Sequence, residues 1–401
     1  MLSNQANDED KRRSLHGHWS SRMAFVLAVT GSAVGLGNVW KFPYIAGENG
    51  GGAFVLVYLV CVVAIGLPVM MSEILIGRRG RRNPVSTMEL LGEEEGSTRH
   101  WKWLGLLGVL AGVLILSFYS VIAGWVLVYI IKSASGAFTG ATAASIDAIY
   151  SEFTGDWTSV TLAHTVFLAS TVFVVARGVE RGLEQAVRFM VPALLVLMLV
   201  LLGYSINSGS FAEGLAFMFS PNWDQLGWGG VLIALGQAFF TLSIGMGAVM
   251  AYGAYLPEET SITKASATVV VADTGIAILA GLVIFPLVFA NGLDPAQGPG
   301  LVFETLPLAF GQMAGGAVFG ILFFVLLSFA AWTSALSLIE PAVAWMVERF
   351  NKTRAQAAVI VGFAIWLLGM GTVLSYNVLA DVRFLAGTIY DNVDYLASNI
   401  M

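Results

Sequence analysis

The chain has 401 residues, of which 57% are hydrophobic and only 11% charged, with a mean hydropathy of +0.78. Soluble domains carry about 25% charged residues, so this composition excludes a soluble globular protein and indicates an all-α polytopic membrane protein. The formal charge of −6 decides little, because its placement sets topology; the single cysteine, Cys61, excludes an intrachain disulfide and a cysteine-built zinc cluster.

Residues 1–18 are polar and lack a signal-peptide apolar core; they read as a cytoplasmic tail. The first span covers about 23–44, long enough to cross a bilayer, which takes roughly 20 residues. Its middle, Val29 to Asn38, holds Gly31, Gly35 and Gly37. Glycine loses the most backbone freedom on folding, so a break is expected near 33–37. Unwound backbone at membrane depth is tolerated only where it is buried in protein or lines a cavity. Gly31-x-x-x-Gly35 is also a helix-packing motif; Asn38 and a second interrupted span favour the break.

The second span is about 53–76, after the turn Glu48-Asn49-Gly50-Gly51-Gly52, and a basic loop follows. The third is about 103–131, followed by a loop over 133–158 without Lys or Arg. Spans four to seven are about 159–176, 183–206, 228–255 and 262–290. A second loop over 291–314 again lacks Lys and Arg. Spans eight and nine are about 315–349 and 353–374, and a tenth begins near 385 and stops early, at Met401. Of the 20 Lys and Arg, all but Lys41, Lys132 and Arg383 fall on the side of the N-terminus. By the positive-inside rule that side is cytoplasmic.

The sixth span repeats the pattern of the first: Thr241, Ser243, then Gly245-Met246-Gly247 inside an apolar run. Two sets of five spans, each opening on a broken helix, give a five-plus-five inverted repeat, about 19–206 and an incomplete 228–401 within one transmembrane domain over 19–401. Paired interruptions at corresponding positions point to a transporter binding site.

Thr30–Asn38, Trp40-Lys41-Phe42-Pro43, Glu48–Gly52 and Gly236–Gly247 together resemble the neurotransmitter:sodium symporter family, and in particular a bacterial amino-acid transporter. The resemblance covers essentially all of residues 16–401. It implies sodium-coupled uptake by alternating access in the bacterial plasma membrane, with two sodium ions and no organic cofactor.

The resemblance places a first sodium site at the Ala33 carbonyl, Asn38, Thr241 and Asp273. Many members carry Asn where Asp273 stands. An intramembrane carboxylate costs at least about 2.5 kcal/mol unless paired, and this one supplies a fixed negative charge beside the ion. Ala277 replaces a position that is often Ser or Glu, so chloride-independent transport is expected. A second sodium site is implied at the carbonyls of Gly31, Val34 and Ala330, with Thr333 and Ser334. Such hydroxyls also commonly bond back to their own helix.

Tyr119 matches the family tyrosine that binds the substrate carboxylate, with the N–H groups of Leu36 and Gly37 sharing it. Gly35 stands where amine-carrying members have Asp, which leaves room for an α-carboxylate. Ala33 and Thr241 adjoin the substrate, and the walls implied are Ile115, Phe240, Ser243, Met246, Ser334 and Leu338, uncharged and suited to a hydrophobic or aromatic side chain. Outside, Tyr119 and Phe240 form a lid, with Lys41 paired to Asp394 above it. Inside, the resemblance implies a latch of Trp19, Arg22, Tyr255 and Glu348; His16 stands where an Arg is usual, which leaves the usual ion pair with Glu348 open, and Arg12 or Arg13 could substitute. Glu73 and Glu340 read as structural carboxylates, and Gly182 with Pro192 as an unwinding device or a proline kink in span five.

No nucleophile–base pair, cofactor loop or metal cluster suggests an enzyme, and no nucleic-acid partner is expected. A non-transporting amino-acid sensor on the same fold is the alternative, and a sodium channel a third reading. The sequence leaves the oligomeric state open.

Overall fold

A computed structural model describes residues 16–295, 300–385 and 387–397. The chain is helical throughout these residues, with only isolated bridges such as Gly51 with Pro221. Residues 1–15, including Arg12 and Arg13, and the end of the tenth span lie outside the described residues.

The first span is two helices, α1 (Arg22–Ala33) and α2 (Phe42–Glu48), joined by the non-helical 34–35 and, after Leu36, a π-helical turn over Gly37–Lys41. The two limbs are bent by 46°. The second span is α3 (Gly52–Cys61) and α4 (Leu67–Gly80), continuous through a π-turn at Val62–Gly66. The third is α6 (Lys102–Ala134), reached after α5 (Pro84–Glu94). After α7 (Ala143–Gly155) come α8 (Trp157–Ala176) and α9 (Gln185–Ile206), with a π-turn at Val179–Glu184 leading into α9. Then α10 (Phe211–Phe219) precedes the sixth span, broken into α11 (Trp228–Thr241) and α12 (Ala248–Ala254). The remainder is α13 (Ile262–Ala290), α14 (Leu306–Gln312), α15 (Gly316–Phe350), α16 (Arg354–Ser375) and α17 (Ile389–Tyr395). Among the described residues, seven helices are long and apolar enough to cross a membrane, and the bent α1–α2 pair makes an eighth.

Several sequence expectations need correction. The segments 133–158 and 291–314, expected as loops, carry α7 and α14, and two further helices, α5 and α10, connect spans. The tenth span begins at Ile389, because Thr388 and Asp391 form a capping box there. The fifth starts as a π-turn, since a Cβ at Gly182 would collide with the Val174 carbonyl and Gly178 has φ +95°.

α6 and α15 form the central pair, and α1 packs against α9, α13 and α15. Close approach rests on small residues. A Cβ at Gly112 of α6 would sit 3.1 Å from the Leu338 carbonyl, and one at Gly253 of α12 2.8 Å from the Ile74 carbonyl. These contacts hold the two broken spans against α6, α15 and α4.

Candidate functional site: a cavity between two broken helices

Where α1 ends, the Val34 N–H still reaches the Thr30 carbonyl at 2.7 Å, but the helix does not continue. The freed Ser32 carbonyl accepts from two hydroxyls, Ser243 Oγ at 2.8 Å and Ser334 Oγ at 3.0 Å. Ser243 sits at φ +54°, a left-handed conformation that costs a non-glycine residue about 1–3 kcal/mol. Gly245 and Gly247 follow at φ +87° and +73° without that penalty. The strain at Ser243 is retained where its hydroxyl ties the two breaks together.

Asp273 of α13 is fully buried beside both breaks. Its Oδ1 accepts from Asn38 Nδ2 at 2.7 Å, and both its oxygens lie 3.1 Å from Thr241 Oγ1. Asn38 Oδ1 accepts the Gly35 N–H at 3.0 Å. The partners of this carboxylate are neutral, so its charge has no cationic side chain to offset it. A buried charge is tolerated when paired, and the oxygen-only surroundings suit a hard cation. Among the described residues no cluster of three or more His, Cys, Asp and Glu exists, which leaves a multi-carboxylate divalent site without ligands. Tyr58, Gln237 Oε1 and Thr274 present unpartnered polar atoms.

A second oxygen group lies between α1 and α15. Thr333 Oγ1 is 3.0 Å from the Ala330 carbonyl and 3.4 Å from the Val34 carbonyl. Gly31 faces Thr333 so closely that a Cβ would lie 3.2 Å from Thr333 Cβ. Ser334, expected in this group, turns its hydroxyl to Ser32 instead.

Between these groups is a small cavity of about 20 Å³. Ala33, Gly35, Gly37, Ile115, Tyr119, Phe240, Ser243, Met246, Ser334 and Leu338 line it, all of them expected from sequence, together with Ser32. Tyr119 OH accepts the Leu36 N–H at 3.2 Å. Leu36 and Thr241 are buried beside the cavity without lining it. The lining therefore combines the Tyr119 phenol and the hydroxyl-bearing Ser32, Ser243 and Ser334 with the apolar Met246, Leu338 and Ile115.

At one mouth, the Lys41 ammonium lies 4.4 Å from the centre of the Phe240 ring. Lys41 and Asp394 line one outer space of about 1450 Å³. At the other end, Trp19 donates from Nε1 to the Tyr252 carbonyl at 3.1 Å. His16 Nε2 is 2.9 Å from Glu348 Oε1, and Asn83 donates its backbone N–H and Nδ2 to the same carboxylate at 2.8 and 2.7 Å, while Arg12 and Arg13 lie outside the described residues. Arg22 is exposed and makes no ion pair or hydrogen bond among the described residues. Tyr255 donates instead to Glu340, at 2.7 Å.

Three contacts went unread in the sequence. Arg354 grips fully buried Glu340 with both guanidinium arms, NH1 at 3.0 Å. Glu184, at the onset of α9, accepts the Ser20 N–H at 3.0 Å and pairs with Arg188 at 2.8 Å. Asn83 caps α5 and holds Glu348. The available signal was an Arg at the first position of a span beside a carboxylate in the preceding one.

Two discontinuous helices facing a cavity of mixed polar and apolar lining, with an oxygen cluster, define a secondary transporter. A family model for the sodium:neurotransmitter symporter family matches residues 16–146 and 151–379. The chain belongs to this family of sodium-dependent symporters. It is 40% identical over 383 residues to the uncharacterised sodium-dependent transporter YhdH of Bacillus subtilis, covering 96% of this chain and 84% of the relative. It is 33% identical over 390 residues to an uncharacterised sodium-dependent transporter of Haemophilus influenzae, covering 96% and 85%. The crystal structure of MhsT in complex with L-phenylalanine superposes with a TM-score of 0.88 at 44% identity, covering 95% of this chain and 86% of that one. As a family member the protein is a multi-pass membrane transporter and not an enzyme.

Proposed function

We propose that the protein imports a hydrophobic or aromatic α-amino acid across a bacterial plasma membrane, coupled to two sodium ions and independent of chloride, with its N-terminus in the cytoplasm. The observation that carries this reading is the cavity itself. Its phenol and its N–H groups suit an α-carboxylate, its lining is uncharged, and Asp273 stands beside both breaks. The likeness to MhsT with bound L-phenylalanine supports the same class of substrate.

In this reading the substrate carboxylate meets Tyr119 and the N–H groups of Leu36 and Gly37, leaving the side chain to Met246, Leu338 and Ile115. The first sodium sits among Asn38, Thr241, Asp273 and the Ala33 carbonyl, and the second among Thr333, Ser334 and the carbonyls of Gly31, Val34 and Ala330. Asp273 supplies a fixed negative charge beside the first sodium, which makes chloride unnecessary. Access alternates between the Lys41–Phe240 side, with Asp394, and the Trp19–Tyr255–Glu348 side. The repeats 19–206 and 228–401 move around the fixed breaks.

Binding of radiolabelled L-phenylalanine to purified protein, with sodium exchanged for potassium, tests the reading. Saturable binding only in sodium is expected. Equal binding in both salts, or a preference for lysine or glutamate, overturns it.

A further inference from the structure

A different space opens on the other side of the glycine-rich break between α11 and α12. It offers about 350 Å³ among α4, α5, α6 and the 245–250 stretch, inside the range of about 300–1,000 Å³ typical of small-molecule pockets. Its walls are apolar, with Val69, Met88, Leu104 and Met250 prominent. Leu104 is half exposed on the outer surface of the helix bundle, so the space adjoins the lipid-facing side.

One charged side chain reaches this space, Glu73 of α4, which is itself 92% buried, being 8% exposed. Its Oε1 accepts the Gly245 N–H at 2.6 Å, and the Met250 N–H faces the same carboxylate. Its Oε2 closes no hydrogen bond. The adjacent Ser72 hydroxyl turns away, to the Pro68 carbonyl at 2.9 Å. Among the described residues, no Lys, Arg or His lines the space. A buried carboxylate with one unpartnered oxygen, on a residue that lines an apolar chamber of ligand size, has room for a counter-charge. With a single carboxylate and no other His, Cys, Asp or Glu grouped with it, a divalent ion lacks ligands. A compact monovalent ammonium fits.

We propose that this chamber binds a monocationic amphiphile, its primary ammonium on Glu73 Oε2 and its apolar body of phenylalkyl size against Val69, Met88, Leu104 and Met250. The site is distinct from the substrate cavity but linked to it. Glu73 holds Gly245 and the chamber touches Gly247, while Met246 between them lines the substrate cavity. A ligand here sets the geometry of the break, and its binding is coupled to substrate binding by a reciprocal free energy. The proposal does not depend on which substrate the central cavity takes.

The test titrates 4-phenylbutylamine, with neutral 4-phenylbutanol as its isostere, against the full chain in nanodiscs, by calorimetry with and without saturating L-phenylalanine. The amine is expected to bind at least about tenfold more tightly than the alcohol, in both conditions. Met88→Trp, which fills the chamber and leaves the carboxylate in place, and Glu73→Gln are each expected to weaken the amine about tenfold or more. Equal affinity for amine and alcohol, simple displacement of the amine by L-phenylalanine, or undiminished binding to Met88→Trp overturns the proposal. If Glu73→Gln fails to fold, the Met88→Trp arm still decides it.

Discussion

Asn38 of the first broken span donates to Asp273 of α13 at 2.7 Å, and it accepts from Gly35 at 3.0 Å with its other amide atom. One side chain thus connects the unwound backbone beside the substrate cavity to the buried carboxylate of Asp273. Removing that charge must therefore be felt by ion and substrate together.

Asp273→Ala leaves the cation without its counter-charge. Removing one partner of a buried pair costs about 3 kcal/mol or more, a hundredfold or greater rise in the sodium concentration needed for half-maximal L-phenylalanine binding. Asp273→Asn keeps the hydrogen bonds and loses only the charge, so its binding becomes sensitive to chloride. The wild-type protein binds equally in chloride and gluconate. A strong chloride requirement in the wild type refutes the assignment.

Gly35 is required for space. A Cβ there would overlap Ser334 Oγ and lie 3.0 Å from Tyr119 OH. Gly35→Ala is expected to weaken L-phenylalanine binding about tenfold or more, the effect of about 1.4 kcal/mol of overpacking. Gly35→Ala with Ser334→Ala relieves the overlap, so the double variant recovers thermal stability relative to Gly35→Ala alone. Strict additivity of the two unfolding shifts argues against a shared contact.

The breaks and Asp273 were legible because each violates what a spanning helix allows: clustered glycines in an apolar run, and a carboxylate inside one. The lining residues followed from those anchors through the family resemblance. The helices α5, α7, α10 and α14 were not legible, because short helices owe their stability to tertiary packing more than to propensity. The contact of His16 with Glu348 was not legible for a similar reason. His16 reaches it across 332 positions in sequence, and no local pattern distinguishes it from Arg12 or Arg13. Arg354 and Glu340 are only 14 positions apart, yet the turn between α15 and α16 decides that they meet.

The apolar wall sets substrate size. Ile115 is buried and lines the cavity. Ile115→Phe reduces the room for an aromatic side chain and shifts preference from phenylalanine toward leucine by about 1–3 kcal/mol. Competition of unlabelled amino acids against a labelled one measures the shift. An unchanged rank order removes Ile115 from the selectivity wall.

Glu304, in the turn before α14 and outside the spans, has its pKa raised by burial and by the neighbouring Asp147 carboxylate. A raised carboxylate pKa means that the folded protein holds the proton more tightly than the unfolded chain does. Its contribution to stability is therefore fully present below the ordinary glutamate pKa and is lost as pH rises through the raised value. Glu304→Gln is expected to flatten that part of the pH–stability curve. Thermal unfolding over the mildly acidic range checks it; an identical slope in the variant removes Glu304 from the account.

The fork of Arg354 on Glu340 joins α15 to α16, and Tyr255 of the α12 end donates to the same carboxylate at 2.7 Å. Arg354 also donates from Nε to the Val175 carbonyl at 2.9 Å, which ties in α8. Arg354→Ala strands a fully buried carboxylate, with an expected loss of about 3–5 kcal/mol. Arg354→Lys recovers only part of it, since an ammonium cannot reproduce the two-armed grip. Replacing both partners, Glu340→Leu with Arg354→Met, removes the stranded charge and restores most of the stability, because a buried pair offsets its own desolvation only narrowly. A double variant as unstable as Arg354→Ala would mean that the cluster contributes through the Tyr255 and Val175 bonds rather than through the pairing of charges. Unfolding temperatures of the four proteins, measured in sodium with L-phenylalanine, separate the two cases.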